Sequence, residues 1–204
     1  MFERYLPGLS NKRILDVGCG QGMMMDYFIN KGNRVVGIDI THQSVKYNVN
    51  RGLKVIEADA RSLPFESNSF DLVYSLGVIE HFQGTEKALG EQVRVCTQGG
   101  TVIAVVPNLL TLYCLAGIPF ELLTKKNHKL IVTYGKPFTR RTLGNMLKNA
   151  GCERIRVEPY YGSAFLQVFV KKNNARLIDI FEETCLSRYL GLVLWGIGYK
   201  RGDR

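Results

Sequence analysis

RILDVGCGQG, residues 13–22, is the stretch on which the reading of this chain turns. An apolar run over 13–17 meets glycine at 18, 20 and 22, and a helical pattern follows. A strand that ends in spaced glycines and opens a helix makes a turn where backbone lies close to a ligand. The dinucleotide fingerprint sets its third glycine one position later, where Met23 stands. The loop therefore predicts a nucleotide-like ligand without choosing one.

Outward from this loop, β-branched runs alternate with amphipathic stretches, the pattern of parallel βαβ units. RVVGID (34–39), LKVIEAD (53–59), FDLVYSL (70–76) and TVIAVVP (101–107) read as strands two to five. Helices are expected over 22–32, from the cap Thr41 to about Asn50, and near 85–96. Beyond Asn108 the rhythm breaks. A helix capped by Thr139 and stopped by Gly151, a sixth strand over 152–160, an amphipathic stretch over 175–190 and a last strand over 191–200 follow. Residues 163–171 fit helix or strand.

At 204 residues, 46% hydrophobic and 22% charged, the chain suits one globular domain over 1–204. Five cysteines, an odd number without a CxxC pair, match neither a zinc site nor a disulfide framework, so no metal is expected and a reducing cytoplasm is. No apolar signal segment opens the sequence. Residues 95–120 carry no charge, yet Gly99–Gly100 and Pro107–Asn108 break the run, which reads as a buried strand and not a membrane span. Residues 1–100 balance eleven basic against eleven acidic side chains, so the net +9 lies in the second half. Such asymmetry suits an anionic partner or a solvated basic face.

Asp39 ends the second strand, where a carboxylate can accept from a ribose, and Asp59 ends the third, where one can accept from an adenine amino group. Either alone is a common turn aspartate. With Asp16 they set carboxylates at the carboxyl ends of three neighbouring strands, the ligand edge of an open α/β sheet.

ILDVGCGQG, VVGIDI, ADARSLPF, FDLVYSLGVIEHF and RVCTQGGTVIAVVPN resemble, in order and spacing, the motifs of class I S-adenosylmethionine-dependent methyltransferases. The nearest likeness is the methyltransferase type 11-like branch acting on quinones, lipids, sugars and similar small acceptors. It covers about 13–108 and, weakly, 136–160. It implies a Rossmann-like three-layer sandwich with a seven-stranded, mostly parallel sheet in the order 3-2-1-4-5-7-6, strand seven antiparallel. It implies S-adenosyl-L-methionine as cofactor and S-adenosyl-L-homocysteine as product. Carried over by position, Gly18, Cys19 and Gly20 lie beside the methionyl part, and Asp16 anchors that loop and approaches the cofactor's amino group. Asp39 binds the ribose with Ile40 on the adenine face, Asp59 and the Ala60 backbone meet the adenine edge, and Leu76 offers its carbonyl to the ammonium.

An activated sulfonium methyl needs mainly positioning and exclusion of water, and a base only where the nucleophile must lose a proton. His81 is the candidate base, with Glu80 orienting it or taking the proton; the alternative is that both only shape the pocket. His42 is expected near the adenine or in solvent, and His128 in a solvated loop. The methionine run at 23–25 reads as core filling.

Only about twelve residues precede the first strand, which leaves 109–138 and 160–190 as the expected cover over a fairly open acceptor site. Tyr113, Phe120, Tyr134, Tyr160, Tyr161 and Phe165 could line it. Lys125, Lys126, Lys136, Arg140 and Arg141 could face an anion. The reading is methyl transfer to O, N or C of a small-molecule or lipid-linked acceptor, in the cytoplasm or peripheral to a membrane. No specific nucleic-acid binding is expected, since no base-reading motif is present. The alternative is a catalytically silent cofactor-binding adaptor; an NAD-dependent oxidoreductase is disfavoured by the glycine spacing and Asp59.

Overall fold

Strands apolar at nearly every position need cover on both faces, and the inner strands of the sheet receive it. The computed structural model describes residues 2–109, 138–160 and 193–202. Strands β1 (Arg13–Val17), β2 (Arg34–Asp39), β3 (Val55–Glu57), β4 (Phe70–Leu76), β5 (Cys96–Pro107), β6 (Cys152–Tyr160) and β7 (Val193–Lys200) form one seven-stranded sheet. Its order is β3-β2-β1-β4-β5-β7-β6, with β1 to β5 parallel and β7 antiparallel to both its neighbours. This is the order the sequence motifs imply.

The period-two alternation of the strands sorts their side chains into two cores. Ile14, Leu72, Tyr74, Ile103, Trp195 and Ile197 face α1 (Phe2–Tyr5), α2 (Met23–Ile29) and α3 (His42–Asn50). Leu15, Val17, Val73, Val102, Ala104 and Leu194 face α4 (Thr85–Val95) and α5 (Arg140–Asn149). On the first face Phe2 meets Phe28 and Trp195 edge-on, at centroid distances of 4.8 and 4.9 Å. The opening dozen residues carried no expected element, yet Phe2 is buried in this core. Four residues of helix give too short a pattern to read from spacing.

Several boundaries differ from expectation. β3 keeps only three residues, and its ladder with β2 closes where the Ala58 N–H donates to the Asp39 carbonyl at 3.0 Å. β5 begins at Cys96, pairs with Phe70, and shifts register before Thr101. Thr41 holds the N-cap position of α3, but its hydroxyl donates to Asp39 Oδ1 at 2.6 Å instead of capping the helix. Of the methionine run Met25 fills core and Met24 packs against it half-buried, whereas Met23 is 77% exposed. The uncharged stretch enters β5 as expected, and no helix among the described residues is long and apolar enough to cross a membrane. The expectations for 110–137 and 161–192, including both cover segments, His128, Cys114 and Cys185, lie outside the described residues.

A parallel bridge between Asn108 and Phe138 brings the start of α5 to the end of β5. Thr139 caps α5 as expected, its hydroxyl accepting from the Thr142 N–H at 3.0 Å. Thr139→Ala is expected to lower stability by about 1 kcal/mol and Thr139→Ser to restore most of it. Urea denaturation of the three proteins measures this, and equal midpoints would refute the cap.

Candidate active site

Open parallel sheets hold ligands where the strand order reverses, outside the carboxyl ends of the strands. Here the chain winds one way through β1, β2 and β3 and the other way from β4, so the reversal lies between β1 and β4. A cleft of about 220 Å³ opens there. Gly18 beyond β1 and Asp39 and Ile40 at the end of β2 line it, and Ala58 and Ala60 follow from the β3 loop. Gly77, Val78, His81 and Phe82 come from the loop after β4.

The glycine loop is fixed mainly by the neighbouring strand and helix. Gly18 and Cys19 donate backbone N–H groups to the Ile38 carbonyl at 2.8 and 2.9 Å. The Gly20 N–H donates to Asp39 Oδ2 at 2.9 Å. Asn48, fully buried on α3, donates its amide to the Gly20 carbonyl at 2.7 Å and to the Ser44 carbonyl at 2.9 Å. At Gly18 the φ of +74° is left-handed, and a Cβ would stand 2.5 Å from a Val78 methyl. At Gly20 a Cβ would meet nothing within 4 Å, so the loop keeps open space on its ligand side.

Asp39 uses both oxygens: Oδ2 takes the Gly20 N–H, and Oδ1 takes the Thr41 N–H at 2.9 Å and its hydroxyl. A carboxylate offers about four acceptor sites, so one remains on Oδ2. Ile40 beside it is 57% exposed, an apolar surface at the cleft edge. Burial pushes the Asp16 carboxyl up to about 7, opposed by the Tyr74 hydroxyl and assisted by the Asp39 charge. The buried Cys19 thiol is pushed up to about 12, chiefly by burial, and stays protonated.

Beyond β4, residues Ile79–His81 form one 3₁₀ turn that buries Glu80 and leaves His81 half exposed in the cleft. His81 Nε2 lies 4.0 Å from Glu80 Oε1, and Glu80 Oε2 has no hydrogen-bond partner. Burial pushes the Glu80 carboxyl up to about 7.

Of the residues singled out from sequence, Gly18, Asp39, Ile40, Ala60 and His81 line the cleft together. Asp16, Cys19, Gly20, Leu76 and Glu80 flank it from the ends of β1 and β4. Asp59 turns to Arg61, whose Nη2 donates to it at 2.6 Å. His42 is exposed and bonds Glu57 at 2.8 Å, the solvent alternative of its two readings. Asn48, Val78 and Phe82 were missed; a buried asparagine late in a helix has no local sequence signature. Among the described residues no group of three or more acidic, histidine or cysteine side chains could hold a metal ion.

The residues fit a nucleoside: an open backbone loop, a carboxylate with one free acceptor site, and an exposed apolar side chain beside it. A family model described as a methyltransferase domain matches residues 15–104. The tRNA (carboxymethyluridine(34)-5-O)-methyltransferase of Arabidopsis thaliana is 35% identical over 108 residues, 52% of this chain and 26% of that protein. Ajmaline N-methyltransferase of Rauvolfia serpentina is 34% identical over 108 residues, 48% of this chain and 36% of that protein. The matched region thus spans about a quarter to a third of these curated relatives. A SAM-dependent methyltransferase from Archaeoglobus fulgidus superposes with a TM-score of 0.71 at 22% identity, covering 98% of this chain and 91% of that one. Phosphoethanolamine N-methyltransferase 2 of Haemonchus contortus, solved with S-adenosyl-L-methionine, gives 0.67 at 18% identity, covering 98% and 51%. Likeness at these identities establishes the fold.

Asp16 and Glu80 bind protons more tightly in the folded chain than in the unfolded one. Each therefore stabilises the fold fully below its ordinary value, 3.8 or 4.5, and loses that contribution as pH rises through about 7. Glu80→Gln is expected to flatten the decline of ligand-free stability between pH 4.5 and 7, measured by urea denaturation across that interval. An unchanged slope would contradict the burial of an uncompensated acid.

Proposed function

We propose that this chain, whose residues 15–104 match a methyltransferase domain, is a class I S-adenosylmethionine-dependent methyltransferase that methylates O, N or C of a small-molecule or lipid-linked acceptor. The observation that carries this reading is the Gly20 N–H on Asp39 Oδ2, which sets the glycine loop and the ribose-type carboxylate as adjoining walls of one cleft.

S-adenosylmethionine, when bound, supplies a methyl group already activated on a sulfonium. The chain's own part is then to bind, orient and handle a proton. The free acceptor site of Asp39 takes a ribose hydroxyl, Ile40 lies along the adenine face, and the backbone at Ala60 meets the adenine edge. The backbone of Gly18, Cys19 and Gly20 and the carbonyl of Leu76 hold the methionyl end. Asp16 faces its ammonium, a cation that would restore the ionised carboxylate. His81 takes the proton of a hydroxyl or amine acceptor, and Glu80 orients the imidazole.

A tRNA acceptor is the second reading, favoured by the Arabidopsis relative and by the +9 net charge carried in the second half. Labelled methyl transfer into a cell extract, separated into RNA, lipid-soluble and small-molecule fractions, distinguishes the two. Label in RNA alone would replace the first reading, and none in any fraction would favour a silent cofactor-binding adaptor. A place in the cytoplasm or at a membrane surface belongs to the same proposal, and flotation with anionic liposomes tests the latter.

Titration calorimetry is expected to show S-adenosylhomocysteine binding, weakened about tenfold or more in Asp39→Ala. NAD binding in its place would sink the reading. Once an acceptor is in hand, His81→Ala should slow turnover by about a hundredfold or more if the imidazole is the base. Unaltered turnover would remove that role.

A further inference from the structure

The glycine loop is held from outside the cleft as well as by Asp39, and the outer hold comes from α3. The fully buried Asn48 amide donates to the Gly20 carbonyl at 2.7 Å and to the Ser44 carbonyl of its own helix at 2.9 Å. Both of its hydrogens are thereby used. At the end of the same helix Arg51 Nη1 donates to the Gln21 carbonyl at 2.8 Å, while its Nη2 pairs with Asp26 on α2. Two consecutive carbonyls of the loop, at 20 and 21, therefore each take a donor from α3. Gly22 completes the fit. Its φ of +77° is left-handed, and a Cβ there would stand 2.3 Å from Asn48 Oδ1. The third glycine, one place early for a dinucleotide fingerprint, leaves the room that the Asn48 side chain needs.

Asp39 has a hold of its own. Thr41 donates to it through both its N–H and its hydroxyl, so two of its three donors do not depend on the loop. The two halves of the site are braced separately: the ribose-type carboxylate by Thr41, the loop carbonyls by Asn48 and Arg51. We propose that Asn48 and Arg51 are positioning residues for the methionyl end of the cofactor, acting only through the glycine loop. The assignment rests on the cofactor reading above. Neither side chain lines the cleft. Without the Asn48 amide the Gly20 carbonyl loses its donor at a part-buried place, and the peptide relieves that loss by turning. Such a turn displaces the loop where the amino-acid end would lie and leaves the nucleoside wall as it was.

The test compares S-adenosylhomocysteine with methylthioadenosine, which keeps the nucleoside and the sulfur but lacks the amino-acid end, by calorimetry well below the melting temperature. Asn48→Leu keeps the branched shape without the donors. It is expected to weaken S-adenosylhomocysteine about tenfold, the effect of one unpaired carbonyl, and methylthioadenosine by less than about twofold. Arg51→Ala removes a side chain that is 35% exposed, so the fold stands, and the same ratio should move the same way by about threefold. Thr41→Val takes a donor from Asp39 and should instead weaken both ligands by a similar factor. A merely structural Asn48 would lower the melting temperature and leave the ratio of the two affinities at its wild-type value. That outcome overturns the assignment, and so does an unchanged ratio in Arg51→Ala, which decides the matter if Asn48→Leu does not fold. A wild-type chain that holds methylthioadenosine as tightly as S-adenosylhomocysteine also overturns it and leaves the nucleoside site standing. A wild-type chain that binds neither ligand overturns both readings.

Discussion

The Asp39 carboxylate closes three hydrogen bonds at the end of β2, and the cleft is organised around them. One draws in the glycine loop that leaves β1, and the other two fix the turn into α3. Through α3 the same junction reaches Asn48, which holds the far side of the loop by the Gly20 carbonyl. A nearly buried carboxylate with this many donors has little freedom to move, so strand, loop and helix share one geometry. The group expected to touch the sugar is therefore also the one that shapes the surface the sugar would meet. Its loss would be felt twice, as a missing contact and as a loosened loop.

Much of the architecture was legible because it rests on local patterns. The β-branched runs at 34–39 and 70–76 and the glycines at 18 and 20 each announce their conformation within a few residues. The Thr139 cap and the Gly151 stop could be placed for the same reason. Elements that depend on distant partners were not legible. Phe2 belongs to the core only because Phe28 and Trp195 come together from opposite ends of the chain. Asn48 became a loop anchor only once α3 was laid beside the turn after β1. Thr41 sits where a cap is expected, yet its hydroxyl turns to Asp39 and no side-chain cap bond forms, and Asp59 turns to Arg61, two residues on. Side-chain competition of this kind is decided by geometry at the ångström scale, which residue spacing does not encode.

The two raised carboxyls come from different strands, Asp16 from β1 and Glu80 from the turn after β4. Asp16 lies under the loop, where a cation would compensate it, whereas Glu80 lies behind His81 with one oxygen unpartnered. Asp59, by contrast, is held below the ordinary carboxylate range by Arg61. Acidic groups that look alike in the sequence thus differ in charge near neutrality, because one is braced by a guanidinium and two are buried without such a partner.

The sheet order also sets a schedule for synthesis. β7 lies between β5 and β6, so the outer edge of β5 waits for a strand that begins only at Val193. At roughly 5–20 residues per second, that edge stands without its partner for on the order of ten seconds after Pro107 emerges. The cleft is built almost entirely from the part made first, residues 18–82, whereas the support for Val105 and its neighbours arrives last. During that interval an apolar strand has one unpaired row of backbone groups, an edge open to pairing with another chain.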